Sequence, residues 1–198
     1  MNKFFTALTM VAATALMSFT TPGKKAETFK VDATKSTVEW NAKKVTGEHS
    51  GAIKLATGSL TYDGKTIKGG TFTIDMNSIS CSDITDANYN GKLIGHLKND
   101  DFFSTEKFPT AKFDITEVKS TGADSYEISG NLTIKGITKP QTFPATVKKA
   151  GNNLVATANL TIDRTAFDIR YGSASFFNVG DKAIANDFTL KISLVASK

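Results

Sequence analysis

From Thr28 to the C-terminus, apolar and polar residues alternate at period two in segment after segment, and this pattern constrains the fold more than any other feature. Successive side chains of a strand point to opposite faces, so each such segment has one greasy side and one wet side. Val38, Trp40 and Ala42 alternate with Glu39, Asn41 and Lys43, and Phe72, Ile74 and Met76 with Thr71, Thr73 and Asp75. Ala111, Phe113 and Ile115 do the same against Lys112, Asp114 and Thr116. Further strands carry Ile53, Leu55, Leu60 and Tyr62; Ile128, Leu132 and Ile134; then Phe143, Ala145 and Val147. Leu154, Ala156, Ala158, Leu160 and Ile162 share a face, as do Phe188, Leu190, Ile192, Leu194 and Ala196. Asp63-Gly64, Thr121-Gly122 and Gly151-Asn152-Asn153 mark tight turns between antiparallel neighbours. No ten-residue helical pattern alternates with the strands, which excludes βαβ units. One short helix is expected near residues 86–98, where Leu93, Ile94 and Leu97 fall at helical spacing.

About eight strands with one apolar face each must bury those faces together, as an all-β closed barrel or a two-sheet sandwich. Phenylalanine is frequent, at 14 residues, and shares the inward faces with alanine and glycine. Mixed large and very small inward residues leave room for a cavity in a barrel of this size, although side chains alone can also fill such an interior. The residues expected to line a lumen are Trp40, Phe72, Ile74, Phe113, Ile115, Leu132, Phe143, Leu160, Phe167, Phe188 and Leu190.

The first residues follow another logic. Lys3 precedes a largely apolar run over residues 4–19, too short for a membrane span but suited to the h-region of a secretory signal. Residues 1–21 are therefore expected to be a signal peptide, cleaved within residues 18–25, leaving one domain over residues 22–198. Cys81 is the only cysteine, so an exported chain would fold without an internal disulfide and rely on packing. The net charge of +5 is almost all lysine scattered through the chain, with Arg164 and Arg170 the only arginines. This argues against nucleic-acid binding, which relies on arginine forks and clustered basic faces, and leaves at most peripheral contact with anionic membranes.

The polar candidates are sparse. His96 with Asp101, and His49 with Glu48, resemble acid–base pairs, but neither has a nucleophile or a third orienting group at motif spacing, so no catalytic residue is assigned. Two histidines and one cysteine far apart do not make a zinc site, and neither metal nor cofactor is expected. Gly69-Gly70 precedes a strand and reads as a bulge or a hairpin bend. Arg164, at a strand end, reads as a tie holding a loop to the barrel or as a cation for an anionic headgroup. Phe102-Phe103 and Phe176-Phe177 are adjacent aromatic pairs, which cannot both face inward from a regular strand. With Leu93 and Leu97 they are expected at the barrel mouth, as a plug or as a pliable lip.

Three ordered segments resemble the YceI-like family. Residues 130–140, GNLTIKGITKP, are similar to its G-x-L-T-I-x-G-x-T-K-P signature. His96-Leu97-Lys98, then Asp101-Phe102-Phe103 and Phe108-Pro109 with Phe113, resemble its H-L … D-F-F … P element. Residues 162–169, IDRTAFDI, are similar to its R-x-x-F pattern through Arg164 and Phe167, and Val31-Asp32 … Ser36-Thr37-Val38 is a weaker echo. Two positions depart from the family: Lys35 stands where a histidine is common, and Leu93-Ile94 where an Arg-Asp pair is common, so this end of the barrel loses an ion pair. The resemblance implies a lipocalin-like antiparallel barrel in the bacterial periplasm that binds an isoprenoid or fatty-acyl ligand in a hydrophobic tunnel, for transport or storage. An enzyme acting on such a lipid through His96 or Asp101 and a filled barrel acting as an envelope interaction module are the alternatives. A homodimer is compatible with the sequence.

Overall fold

From the second strand onward each strand hands its chain to an antiparallel neighbour, and the last pairs with the first two. The computed structural model describes residues 25–198; the expected signal peptide, and its cleavage window up to residue 24, lie outside the described residues. The elements are β1 (Glu27–Val31), β2 (Thr37–Lys44), β3 (Gly47–Tyr62), β4 (Ile67–Cys81), α1 (Ala87–Lys98), β5 (Thr110–Ser120), β6 (Ser125–Ile134), β7 (Ile137–Ala150), β8 (Asn153–Asp163) and β9 (Ile184–Ser197). Their order is β1-β3-β2-β9-β8-β7-β6-β5-β4, and β4 pairs back to β3, closing the sheet.

Nine strands make an eight-staved barrel because β1 and β2 share one stave. β2 sets Val38 against Ile53 of β3 and Ile192 of β9. β1 continues the same position, with Phe29 against Leu60 and Val31 against Ala196. The break at residues 32–36 is bridged by side chains. Asp32 accepts from the Thr34 hydroxyl (2.6 Å) and amide (3.0 Å), while the Ser36 hydroxyl donates to the Asp32 carbonyl and accepts the Val195 amide at 3.0 Å.

The β6–β7 hairpin explains the glycine- and proline-containing motif at residues 130–140. Lys135 (φ 51°) and Gly136 (φ 74°) occupy the two left-handed positions of a tight turn, which only glycine and a few other residues tolerate. Counting pairs back from that turn, Pro140 opposite Asn131 and Pro144 opposite Glu127 fall at non-hydrogen-bonded sites, so their missing N–H groups face away from β6. That edge is the one turned to β8, and β7 pairs with β8 only from Ala145 onward. Over the preceding residues the wall is unzipped, and a one-turn 3₁₀ helix, Arg164–Phe167, packs against β7. Gly130 lies against Phe113: a Cβ there would come within 2.5 Å of the Phe113 ring and of the Asp114 carbonyl.

Two irregularities shape the upper end, where α1 sits. Between Asp75 and Ser80 strand β4 bulges away from β3, held by the Ser78 hydroxyl donating to the Asp75 carbonyl and accepting the Lys54 amide. The bulge turns Met76 and Ile79 into the interior. A smaller register shift near Lys68 accommodates Gly69-Gly70. Helix α1 is capped by the Asp86 carboxylate, which accepts the Asn88 and Tyr89 amides at 2.9 and 3.0 Å. It buries none of its residues, and Gly91 and Gly95 face open space.

Candidate functional site

The inward faces do not meet in the middle. Two cavities lie end to end inside the barrel, with about 850 Å³ and 870 Å³ of space between atoms, part of it continuous with solvent. The lower one is lined by aliphatic and aromatic side chains from β2 to β9, with Thr157 the only polar residue. It holds Phe72, Phe113, Ile115, Phe143 and Leu160. The upper one holds Trp40 and Phe188, the bulge residues Met76 and Ile79, and two charged residues, Arg164 and Asp187. Ile74, Leu132 and Leu190 line both. Ten of the eleven residues expected on the lumen wall are thus brought together. The exception is Phe167, which is fully buried in the 3₁₀ helix and borders neither cavity. Strand β8 ends at Asp163, and Phe167 is out of step with the even-numbered inward face of that strand (Leu160, Ile162), so no ladder carries it to the lumen.

The two ends of the barrel differ. At the lower end Phe29, Leu154 and Ala196 are completely excluded from solvent, and Ile67, Leu60 and Tyr126 nearly so. The Phe29 and Tyr62 rings meet edge to face at 6.1 Å, with the ammonium groups of Lys198 and Lys149 about 6 Å from them. The upper end has a thinner cover. Leu97 of α1, Phe102 and Phe103 border the cavity, while Leu93 stays outside it. The two aromatic pairs therefore part company: Phe102-Phe103 form the plug, whereas Phe176 and Phe177 stand 46% and 53% exposed on the adjacent loop. Lys135, at the β6–β7 turn, ties this rim together by donating to the carbonyls of Asp168 (3.2 Å) and Asp100 (3.4 Å).

Arg164 is buried, and its guanidinium donates to three backbone carbonyls: Ile169 at 2.7 Å, Ala185 at 2.9 Å and Ile184 at 3.1 Å. It joins the end of β8, the following loop and the start of β9. Burial pulls its pKa below the ordinary arginine range, opposed by the neighbouring Asp163 carboxylate. The geometry is that of a loop tie, with the side chain also on the upper cavity wall.

The histidines have structural surroundings. His96 is packed edge-on between Phe102 (4.8 Å) and Tyr171 (4.6 Å), with Asp101 3.4 Å from Nε2. His49 does not engage Glu48; its Nδ1 lies 2.8 Å from Asp83 on the outer surface, because Glu48 and His49 alternate across β3. Asp83 also accepts the Ser50 amide (2.8 Å) and the Cys81 thiol (3.2 Å). Burial raises the Asp83 pKa, but these three donors more than reverse it and hold the carboxyl at about 2. Burial likewise pushes the Cys81 thiol up, the opposite of an activated nucleophile. Among the described residues no group of three or more His, Cys, Asp and Glu could hold a metal, and no helix is long and apolar enough to cross a membrane.

Residues 29–196 match the family model described as the YceI-like domain. A UPF0312 protein of Pseudomonas paraeruginosa is 40% identical over 96 residues, which cover 48% of this chain and 47% of that protein. One from Pseudomonas putida is 32% identical over 120 residues, covering 56% and 60%. These matches span about half the length of the curated relatives. Among solved structures, BcnA of Burkholderia cenocepacia superposes with a TM-score of 0.69 at 28% identity, covering 84% of this chain and 99% of that one. The YCEI protein of Campylobacter jejuni gives 0.56 at 18% identity, over 96% and 93%, a likeness of fold.

Proposed function

Since this chain belongs to the YceI-like domain family, whose barrel is the architecture of a binding protein rather than of an enzyme, we propose that it holds a polyisoprenoid or another long-chain amphiphile in its lumen, for transport or storage in the periplasm. The observation that carries this reading is the pair of end-to-end cavities whose walls are almost wholly hydrocarbon. Each methylene moved from water into such a wall contributes about 0.8 kcal/mol, so ten give a gross ~8 kcal/mol. Immobilising the chain offsets several kcal/mol of that, so affinity requires a long tail and depends less on the headgroup. Export is supported by the positive residue and apolar run of residues 3–19. A binding role without turnover is supported by the packing of His96 between two aromatic rings and by the burial that raises the Cys81 thiol.

Native mass spectrometry of protein purified from its own host tests the reading. A co-purifying mass in the lipid range is expected, and an adduct-free barrel that also takes up no added fatty acid or prenyl alcohol would overturn it. Phe113→Asp places a charge on the lower cavity wall, and Ala158→Phe fills the same space without charge. Both are expected to lower uptake at least tenfold, the equivalent of about 1.4 kcal/mol, in protein whose circular dichroism shows a folded barrel. Unchanged uptake by both would put the ligand elsewhere.

A further inference from the structure

The two cavities adjoin one another. They share five lining residues, Val38 of β2, Ile74 of β4, Leu132 of β6, Ile162 of β8 and Leu190 of β9. One residue from each of five staves, all branched aliphatics, makes a ring around the barrel axis. Below it Phe29, Leu154 and Ala196 fill the end of the barrel, completely excluded from solvent. Above it lie α1, which buries none of its own residues, and the charged residues of the upper wall, Arg164 and Asp187. Below the ring only Thr157 could hydrogen-bond a guest, so a polar headgroup placed there would be left almost unsatisfied. An amphiphile therefore enters from the α1 end and lies tail-down, with its head in the upper cavity.

We propose that this ring is a chain-length gate, selecting single-tailed amphiphiles whose tails are long enough to pass it into the lower cavity. The inference rests on the lipid-binding reading and deepens it: the deciding feature of the ligand is tail length, and the deciding residues are Leu132 and Leu190 rather than any polar group. Affinity should rise about fourfold per methylene while a tail fills one cavity. It should then flatten where extra methylenes meet the ring and rise again once the tail has threaded it. A smooth tunnel would give one unbroken slope.

A series of straight-chain fatty acids, from about eight to about twenty carbons, tests this. Trp40, the chain's only tryptophan, lines the upper cavity, so its fluorescence reports binding of each acid. Wild-type protein is expected to show the break in slope. Leu190→Phe, which narrows the ring, should abolish the second rise while the first rise, among the shortest acids, persists. Leu132→Ala, which widens it, should remove the flat region. Melting curves for both variants establish that the barrel is folded. Should one of them fail to fold, the wild-type break and the remaining variant still decide. An unbroken slope in the wild type, or a Leu190→Phe variant weakened equally at every length, overturns the gate while leaving lipid binding intact. Failure of every acid to bind wild-type protein would instead remove the reading on which the gate rests.

Discussion

Replacing Arg164 with methionine separates the two roles its position allows. Methionine keeps much of the side chain's reach but has no donor, so the carbonyls of Ile169, Ala185 and Ile184 each lose a partner. A buried carbonyl without a partner costs about 1–3 kcal/mol, and the change also removes the penalty of burying a guanidinium, which offsets part of the sum. A net loss of roughly 3–5 kcal/mol remains, against a total stability of about 5–15 kcal/mol for domains in general. At about 2–4 °C per kcal/mol for a chain of this size, the melting temperature should fall by roughly 6–20 °C. Urea unfolding followed by far-UV circular dichroism measures the free energy. Fatty acids and fatty alcohols of equal length, compared at a temperature where the variant is folded, measure any headgroup role. The loop tie requires a large stability loss with the two ligand classes weakened alike. A stability loss below about 1 kcal/mol, or a selective loss of the carboxylate ligand, would refute the reasoning.

Two further outcomes follow from the outer surface and the upper cover. The Asp83 carboxyl, held at about 2 against an ordinary 3.8, favours the folded state above pH 4 and loses that contribution as pH falls through 2. About a third of its side chain is exposed, so solvent screening reduces the contribution to about 1 kcal/mol. Between about pH 4.5 and pH 2 wild-type protein should therefore lose about 1 kcal/mol more than Asp83→Asn, and parallel acid-denaturation curves would contradict this. In α1, a methyl group added at Gly91 or Gly95 would meet nothing within 4 Å, so Gly91→Ala with Gly95→Ala should stabilise the helix by up to ~1 kcal/mol each. Hydrogen exchange of α1 amides should slow by about tenfold or more, and release of a bound fatty acid should slow with it if the lumen is entered from that side. Unaltered α1 exchange would show that the helix does not open by fraying.

Much of the barrel was legible in the sequence because burying one face of a strand writes a period of two into the chain. Phe72, Ile74, Phe113, Leu132, Leu160 and Leu190 could each be placed facing inward from neighbours two residues away. The signal failed wherever the ladder stops or bulges. Phe167 is out of step with the even-numbered apolar face of β8 and follows the strand's end at Asp163, and it packs outside the lumen. Met76 continues the apolar phase of β4, but Ile79 falls out of step, and both face the upper cavity because β4 loops away from β3 between Asp75 and Ser80. The adjacent pairs Phe102-Phe103 and Phe176-Phe177 are locally alike. Their opposite fates depend on which loop folds over the mouth, through the Phe103 amide reaching the Leu97 carbonyl and Lys135 joining two loops.

What the chain alone determined is the set of apolar faces, the turns between them and the two prolines that forbid a full β7–β8 ladder, since these are properties of neighbouring residues. Closure was decided only in three dimensions: β1 and β2 share a stave, and the 3₁₀ helix fills the seam that the prolines leave. Whether the inward faces meet or enclose space was likewise beyond any local pattern. It depends on barrel circumference, and eight staves set the walls too far apart for alanines such as Ala156 and Ala158 to fill the gap between them.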